Sequence, residues 1–353
     1  MSISYGKYSI YRTIIYVIDL ERHTGKETMI FEKIPTIHTS DELIDKAFRR
    51  GVRAATGKKS SGRASFLESQ ESMLLTSANI LSDNLANISK KFPNFDELSG
   101  FYYELADILV GVDKIRTSLS RVAWTSEKIH DLAREYVGRM RGSPTPENLR
   151  KQCFGRMGSL MDSINKDLLL LNEARNILRK LPAVHDEPTI VVAGYPNTGK
   201  SSFVTAATKA TPEVAPYPFT TKGISIGHFS IGNVRYQVID TPGLLDRPMS
   251  KRNDIELQAI TALKHLDAVV LFLIDASENC GYTIEEQENL LQEVRTQFDL
   301  PILVVSNKSD LPHFQNLDFT EMSMSTATGE GIEEVIASLV IMINEKKVDE
   351  SVL

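Results

Sequence analysis

The residues with the clearest chemical potential form a short loop near the middle of the chain. Residues 194–201 read Gly-Tyr-Pro-Asn-Thr-Gly-Lys-Ser, a G-x-x-x-x-G-K-S pattern. The β-branched run 189–193 precedes the loop and a helical stretch follows near 200–208. Glycines let backbone N–H groups converge on phosphate oxygens, and a helix N-terminus favours an anion. The predicted phosphate-binding residues are Gly194, Tyr195, Pro196, Asn197, Thr198, Gly199, Lys200, Ser201 and Ser202.

Two further groups in this region predict chemistry at the end of a bound polyphosphate. Lys200 should neutralise the β- and γ-phosphates, and the Ser201 hydroxyl should hold Mg²⁺. Residues 240–243, Asp-Thr-Pro-Gly, end a predicted strand. There Asp240 can reach the Mg²⁺ ion through its bound water, and the Gly243 amide can meet the γ-phosphate.

A third motif predicts which base is bound. Residues 307–310, Asn-Lys-Ser-Asp, follow a predicted strand. The Asp310 carboxylate can accept hydrogen bonds from N1–H and the 2-amino group of guanine, whereas adenine lacks those donors. Backbone amides of 325–327, Ser-Thr-Ala, can approach the guanine carbonyl. The predicted ligand is therefore GTP or GDP, and the predicted guanine-binding residues are Asn307, Lys308, Asp310, Ser325, Thr326 and Ala327.

The surrounding pattern predicts two domains. From about 66 to 181 apolar residues recur at helical spacing, which favours an antiparallel helical bundle. Strands are predicted at 189–193, 234–240, 267–274 and 301–306, with helices near 200–208, 254–265 and 283–297, so we expect a mainly parallel sheet with flanking helices. The predicted division is an extension of uncertain status at 1–28, a basic helical domain at 29–181, a hinge at 182–188 and an α/β P-loop GTPase domain at 189–353.

Charge separates these regions. Residues 186–353 hold 12 Lys and Arg against 24 Asp and Glu, whereas residues 31–185 hold 24 against 19. The stretch 46–63 contains no acidic residue. It is either a polyanion-binding surface or a solvated loop of like charge. Its basic residues, which are the candidate RNA contacts, are Lys46, Arg49, Arg50, Arg53, Lys58, Lys59 and Arg63. We interpret the single tryptophan, Trp124, as part of the bundle core rather than as a base-stacking platform.

Two cysteines without ligand spacing argue against a disulfide framework or a zinc finger. The longest apolar runs are far shorter than the ~18 residues that a membrane span needs. No residue pattern calls for a metal beyond Mg²⁺, for DNA or for an obligate oligomer. The expectation is a soluble, cytoplasmic protein.

The sequence resembles the Obg-related GTPases and, within them, the nucleolar GTP-binding protein (NOG) family. The resemblance rests on residues 194–203, 217–222 and 240–248, and it continues through 252–260 and 280–282. It implies a role in assembling the large ribosomal subunit, with rRNA and ribosomal surfaces as partners. The chain ends soon after a helix that begins near Gly331, so it looks like the compact archaeal form, without the long basic tail of eukaryotic members.

The residues around the phosphate site also predict a nucleotide-dependent switch. Thr221, or alternatively Thr220, should cap Mg²⁺ and the γ-phosphate, so that loss of this phosphate releases the segments near 211–223 and 243–253. Arg247, Lys251 and Arg252 either contact rRNA phosphate or brace the second segment. The predicted switch residues are Phe219, Thr220, Thr221, Lys222, Asp240, Thr241, Pro242, Gly243 and Leu244.

Leu244 stands where Ras-like GTPases carry the glutamine that orients the attacking water. Because leucine cannot hydrogen-bond water, we expect slow intrinsic hydrolysis. A ribosomal partner, or K⁺ bound near Asn197, would supply the missing element; alternatively, Asn197 only braces its own loop. The leading hypothesis is a GTPase switch in large-subunit assembly, and the alternative is a nucleotide-gated RNA-binding scaffold without significant turnover.

Overall fold

The computed structural model describes residues 30–56, 62–184, 187–209, 211–215, 217, 223–248, 252, 257, 260 and 262–352. Several predictions from the sequence lie outside these residues: the extension 1–28, the switch residues Phe219, Thr220, Thr221 and Lys222, and the basic residues Lys58, Lys59 and Lys251.

The described residues separate into two compact units. The first, here the helical unit, comprises 30–98 and 109–179; the second, the nucleotide unit, comprises Ser99–Ile108 and 180–352. Ser99–Ile108, which we predicted as part of the helical domain, group here with the nucleotide unit. Tyr102 makes contacts within that unit: its buried hydroxyl accepts a hydrogen bond from the Val184 amide (2.8 Å) and lies 2.8 Å from the Pro182 carbonyl oxygen.

Helices occupy most of the described residues between 40 and 178. Their bounds are α1 Ser40–Thr56, α2 Arg63–Lys91, α3 Gly100–Leu109, α4 Val112–Arg141, α5 Pro146–Ser163 and α6 Asn165–Leu178, with a 3₁₀ turn at Phe95–Glu97. The predicted all-α region is confirmed. The chain breaks between α5 and α6 at Ile164 (φ −105°, ψ 5°).

The basic stretch that begins at Lys46 is helical rather than a solvated loop as far as Thr56. Its small apolar residues face inward, and Gly51 lies so close to Met73 and Ser77 of α2 that a Cβ atom would clash with them. The basic side chains point outward. Those exposed within the described residues are Lys46, Arg49, Arg50, Arg53 and Arg63.

Trp124 contradicts the prediction that placed it in the core. Its side chain is 54% exposed on α4. The buried residues of this helix are instead Ile115, Val122, Ile129 and others on the opposite face. Since a helix turns about 100° per residue, a side chain two positions after Val122 points about 200° away from it.

The nucleotide unit is built on a seven-stranded sheet in the order β2-β3-β4-β1-β5-β6-β7. The strands are β1 Thr189–Ala193, β2 Glu213–Ala215, β3 Ile224–Ile231, β4 Val234–Asp240, β5 Ala268–Asp275, β6 Ile302–Asn307 and β7 Met322–Ser323. The predicted strands are present within a residue of their expected bounds. Strand β3 is antiparallel to both β2 and β4, and the remaining pairs are parallel.

Three further helices of this unit lie wholly within the described residues: α7 Lys200–Thr208, α8 Ile284–Gln297 and α9 Ile332–Val352. Phe203 of α7 and Leu339 of α9 are fully buried in one cluster with the central strands. Since β1, β4, β5 and β6 carry their polar motifs at their carboxyl ends, these motifs converge on one edge of the sheet. Within the described part of the chain, no helix combines the length and the apolar character that crossing a membrane requires.

Candidate nucleotide-binding site

The loop between β1 and α7 needs its two glycines. Gly194 (φ 132°) and Gly199 (φ 103°) adopt positive φ values that other residues rarely reach. A Cβ atom on Gly194 would lie 2.5 Å from the Leu273 carbonyl oxygen, and one on Gly199 would clash with the Asn307 amide. The loop therefore lies directly against β5 and the start of the base motif, with α7 beginning immediately after it.

Lys200 is the first residue of α7 and is only 7% exposed. Its ammonium group donates to the carbonyl oxygens of Gly194 and Tyr195, both at 2.7 Å. The lysine thus holds the loop curved around the position of an anion. The side chains of Tyr195 and Thr198 are buried behind the loop, where the Thr198 hydroxyl donates to the Tyr195 carbonyl (2.9 Å).

Ser201 and Asp240 form the predicted metal-binding pair. The Ser201 hydroxyl donates to Asp240 Oδ2 at 2.5 Å. Asp240 Oδ1 is buried and has no hydrogen-bond partner among the described residues. Burial raises the pKa of Asp240 above its usual value, although Ser201 and Lys200 oppose this shift. A hydroxyl beside a carboxylate oxygen that lacks a partner fits Mg²⁺, which prefers oxygen ligands and would stabilise the charged carboxylate.

The loop after β4 contains a carboxylate that the sequence analysis missed. The Gly243 amide, predicted to meet a γ-phosphate, donates to Asp246 Oδ2 at 2.7 Å. Arg252 braces the same loop: its fully buried guanidinium donates to the carbonyl oxygens of Gly243 (2.9 Å) and Arg247 (3.2 Å). Bracing is therefore the alternative that the structure supports for Arg252. Leu244 is buried, with 1% exposure.

The base motif is joined to the phosphate loop by Asn307. Its side-chain amide donates to the Thr198 carbonyl oxygen (2.7 Å), and its carbonyl oxygen accepts from the Thr326 amide (3.0 Å). The Ser325 hydroxyl donates to Asp310 Oδ1 at 2.5 Å and accepts from the Ala327 amide at 3.2 Å. These contacts hold the 307–310 and 325–327 segments together as one rigid surface.

A buried network behind this surface was also missed. Lys308 donates to Asp275 Oδ2 at 2.5 Å, and the same oxygen accepts from the Cys280 amide at 2.6 Å. Burial alone would raise the pKa of Asp275, but hydrogen bonds from Lys308 and Ser277 lower it below its usual value. Asp275 thus fixes Lys308 in place.

The 280–282 segment has a second structural role. Tyr282 stacks on Tyr195 of the phosphate loop, with ring centroids 4.1 Å apart. The sequence had marked 280–282 through the family resemblance, but it gave these residues no role. Their contacts brace both the phosphate loop and the base motif.

One cavity of about 620 Å³ brings the predicted segments together. Gly194, Tyr195 and Thr198 shape the phosphate loop from behind, and Leu311 and Asp246 are lining residues that we did not predict. The lining residues are Pro196, Asn197, Gly199, Lys200, Ser201, Ser202, Pro242, Asp246, Lys308, Asp310, Leu311, Thr326 and Ala327. A phosphate-binding loop and a carboxylate-bearing base motif at the carboxyl edge of a mainly parallel sheet define a P-loop GTP-binding protein.

Comparison with known proteins also indicates a GTP-binding protein, and it identifies the family within that class. A family model described as "NOG1 N-terminal helical domain" matches residues 31–185, and "Nucleolar GTP-binding protein 1 (NOG1)" matches residues 254–310. An uncharacterized protein of Methanocaldococcus jannaschii is 44% identical over 295 residues, covering 81% of this chain and 83% of that protein. Nucleolar GTP-binding protein 1 of Eremothecium gossypii is 34% identical over 331 residues, covering 90% of this chain and 50% of that protein.

The chain belongs to the nucleolar GTP-binding protein (NOG) family. It spans most of the archaeal relative but about half of the fungal one. Among solved structures, a putative nucleolar GTP-binding protein 1 from Plasmodium falciparum is 34% identical, with a TM-score of 0.44, and the match covers 49% of this chain and 94% of that one.

Proposed function

We propose that the protein is a slow GTPase that binds GTP with Mg²⁺ and acts as a switch in assembling the large ribosomal subunit through contacts with rRNA. The observation that carries this proposal is the shared cavity. Lys200 and Ser201 lie at one part of its wall and Asp310 with Ala327 at another, as a guanosine triphosphate requires. Mg²⁺, held by Ser201 and by Asp240 through water, would neutralise charge on the phosphates.

The Asp246 contact supports a two-state loop. The Asp246 carboxylate accepts a hydrogen bond from the Gly243 amide. A γ-phosphate would bind to this same amide. Binding of GTP would therefore displace Asp246, whereas GDP would leave this hydrogen bond in place. Because Arg252 is tied to the Gly243 and Arg247 carbonyls, displacement of Asp246 would be transmitted along the loop, which is how a terminal phosphate controls a switch segment.

Slow turnover follows from Leu244. The side chain is apolar and buried, so it cannot orient an attacking water molecule. A partner must then position that water. Asn197, which lines the cavity in a left-handed conformation (φ 64°), is the place where K⁺ would act instead.

The proposed ribosomal role is supported by the names of the eukaryotic relatives and by the positive charge of α1. Eukaryotic relatives are named as nucleolar GTP-binding proteins, and the nucleolus is where ribosomal subunits are assembled. The exposed basic face of α1, which includes Arg50 and Arg53, would bind RNA phosphates without reading sequence. In a cell without a nucleolus the same activity would take place in the cytoplasm.

A hydrolysis assay separates the switch from a scaffold without turnover. We expect purified large subunits to raise the single-turnover rate of GTP hydrolysis by about 10-fold or more, which is a barrier reduction of at least about 1.4 kcal/mol. Small subunits are the matched control. Equal rates with and without large subunits would favour the scaffold, and parallel assays in KCl and NaCl show whether K⁺ contributes.

A further inference from the structure

The exposed tryptophan lies in an open groove within the helical unit. Trp124, Lys128, Leu132 and Tyr136 follow one face of α4 at intervals of four residues, and α5 forms the opposite side. The groove has a volume of about 820 Å³. A large aromatic side chain that is half exposed beside such a space is a feature of binding surfaces rather than of a completed core.

The opposite side of the groove mixes small residues with the larger side chains of Gln152, Arg156 and Leu160. Gly155, Ser159 and Ser163 of α5 line it. A Cβ atom added to Gly155 would meet no other atom within 4 Å. The space beside the indole ring is therefore open to a ligand.

The charge of the groove is positive. Lys128 and Arg156 line it, and none of the described lining residues is acidic. The Lys128 ammonium lies 5.9 Å from the centroid of the Trp124 ring, and the Arg156 guanidinium lies 5.6 Å from that of Tyr136. Both cations therefore lie close to aromatic rings. An anionic chain that stacks a base on the indole ring would come close to these two positive charges.

We propose that this groove binds an unpaired segment of RNA, with one base stacked on Trp124 and neighbouring phosphates bound by Lys128 and Arg156. Stacking requires a base that is not paired in a helix, so single-stranded RNA is favoured over duplex. The choice of RNA as ligand rests on the proposed function, whereas the position of the site rests on the aromatic and basic residues of the groove.

Trp124 is the only tryptophan of the chain, so its fluorescence reports on this groove alone. The probe is a single-stranded oligoadenylate of about 12 nucleotides, a length within the range of known single-strand sites. We expect saturable quenching by this probe and none by inorganic polyphosphate, which carries charge without bases. Absence of quenching by the oligonucleotide, or equal quenching by both probes, would overturn the proposal.

Variants then test the contacts through the anisotropy of a labelled oligonucleotide. Trp124→Ala should weaken binding by roughly 5- to 100-fold, and Trp124→Phe should weaken it less because a ring remains. Lys128→Ala and Arg156→Ala should each lower the slope of log affinity against log salt by about 0.7. Leu169→Ala removes another side chain of the helical unit that is half exposed, and it should leave binding unchanged.

The outcomes of these experiments distinguish a failure of the groove assignment from a failure of the proposed function. If Trp124→Ala binds the oligonucleotide as wild type does, the groove is not an RNA site, even when GTP-dependent binding to large subunits is intact. A protein partner would then be the occupant of the groove. If the tryptophan is needed for RNA binding but large subunits are not bound, the groove assignment stands and the ribosomal role fails.

Discussion

Lys200→Ala is expected to weaken GTP binding by about 10²- to 4 × 10³-fold. The buried ammonium group already bonds two loop carbonyls, at Gly194 and Tyr195, and would bind the β- and γ-phosphates as well. Removing one partner of a buried, charged interaction costs about 3–5 kcal/mol, and each 1.4 kcal/mol is tenfold in Kd. Isothermal titration with GTP and Mg²⁺ measures the loss directly.

Lys209→Asn is the matched control for this substitution. Lys209 is exposed at the other end of α7, in a left-handed conformation that asparagine tolerates. This variant removes the same charge without touching the loop, so GTP affinity should stay within about twofold of wild type, since surface changes usually cost under 0.5 kcal/mol. A thermal unfolding curve checks that both variants remain folded. GTP binding by Lys200→Ala at wild-type affinity would contradict the placement of the phosphates.

Asp310→Asn is expected to change the preferred base from guanine to xanthine. The carboxylate lies in the cavity wall beside Ser325 and would accept two hydrogen bonds from guanine. The amide of Asn can still accept from N1–H, but it has no charge and its NH₂ group cannot accept from the 2-amino group. GTP affinity should therefore fall by about 10²- to 10⁴-fold, since hydrogen bonds to charged groups contribute about 1.5–3 kcal/mol each. Xanthosine triphosphate carries a carbonyl in place of the 2-amino group, so the amide of Asn can donate to it, and this nucleotide should bind better than GTP.

Competition with a fluorescent GTP analogue measures both affinities. Asp318→Asn makes the same charge change at an exposed position of the following loop and should leave both affinities unaltered. Unchanged GTP binding by Asp310→Asn would show that the base lies elsewhere.

The sequence predicted the phosphate loop, the base motif and four strands because each signal is local. The G-x-x-x-x-G-K-S spacing and the runs of β-branched residues need no distant contact to be recognised. Strand β3 was missed because it mixes apolar residues with Gly227 and His228 and is only partly buried. Helix α1 was missed because its many basic residues were interpreted as a polyanion-binding surface or a loop, although Leu43, Ala47 and Ala55 recur at helical spacing on its buried face.

Other features depend on the conformation of a loop or on contacts between distant residues. Asp246 reaches the Gly243 amide through the conformation of one loop, and Asp275 reaches Lys308 across two strands; neither spacing marks a motif. Tyr102 contacts Val184, which is 82 positions away in the sequence. The exposure of Trp124 could have been predicted from the sequence, because helical spacing places this residue opposite Val122. The prediction was wrong because we treated a large apolar residue as part of the core.

Co-sedimentation with large ribosomal subunits tests the proposed switch most directly. The protein is mixed with the subunits at fixed salt, once with a non-hydrolysable GTP analogue and Mg²⁺ and once with GDP. We expect the protein to pellet with the subunits in the presence of the analogue and to stay in the supernatant with GDP. Equal pelleting in both states, or none in either, would contradict a GTP-dependent role on the large subunit.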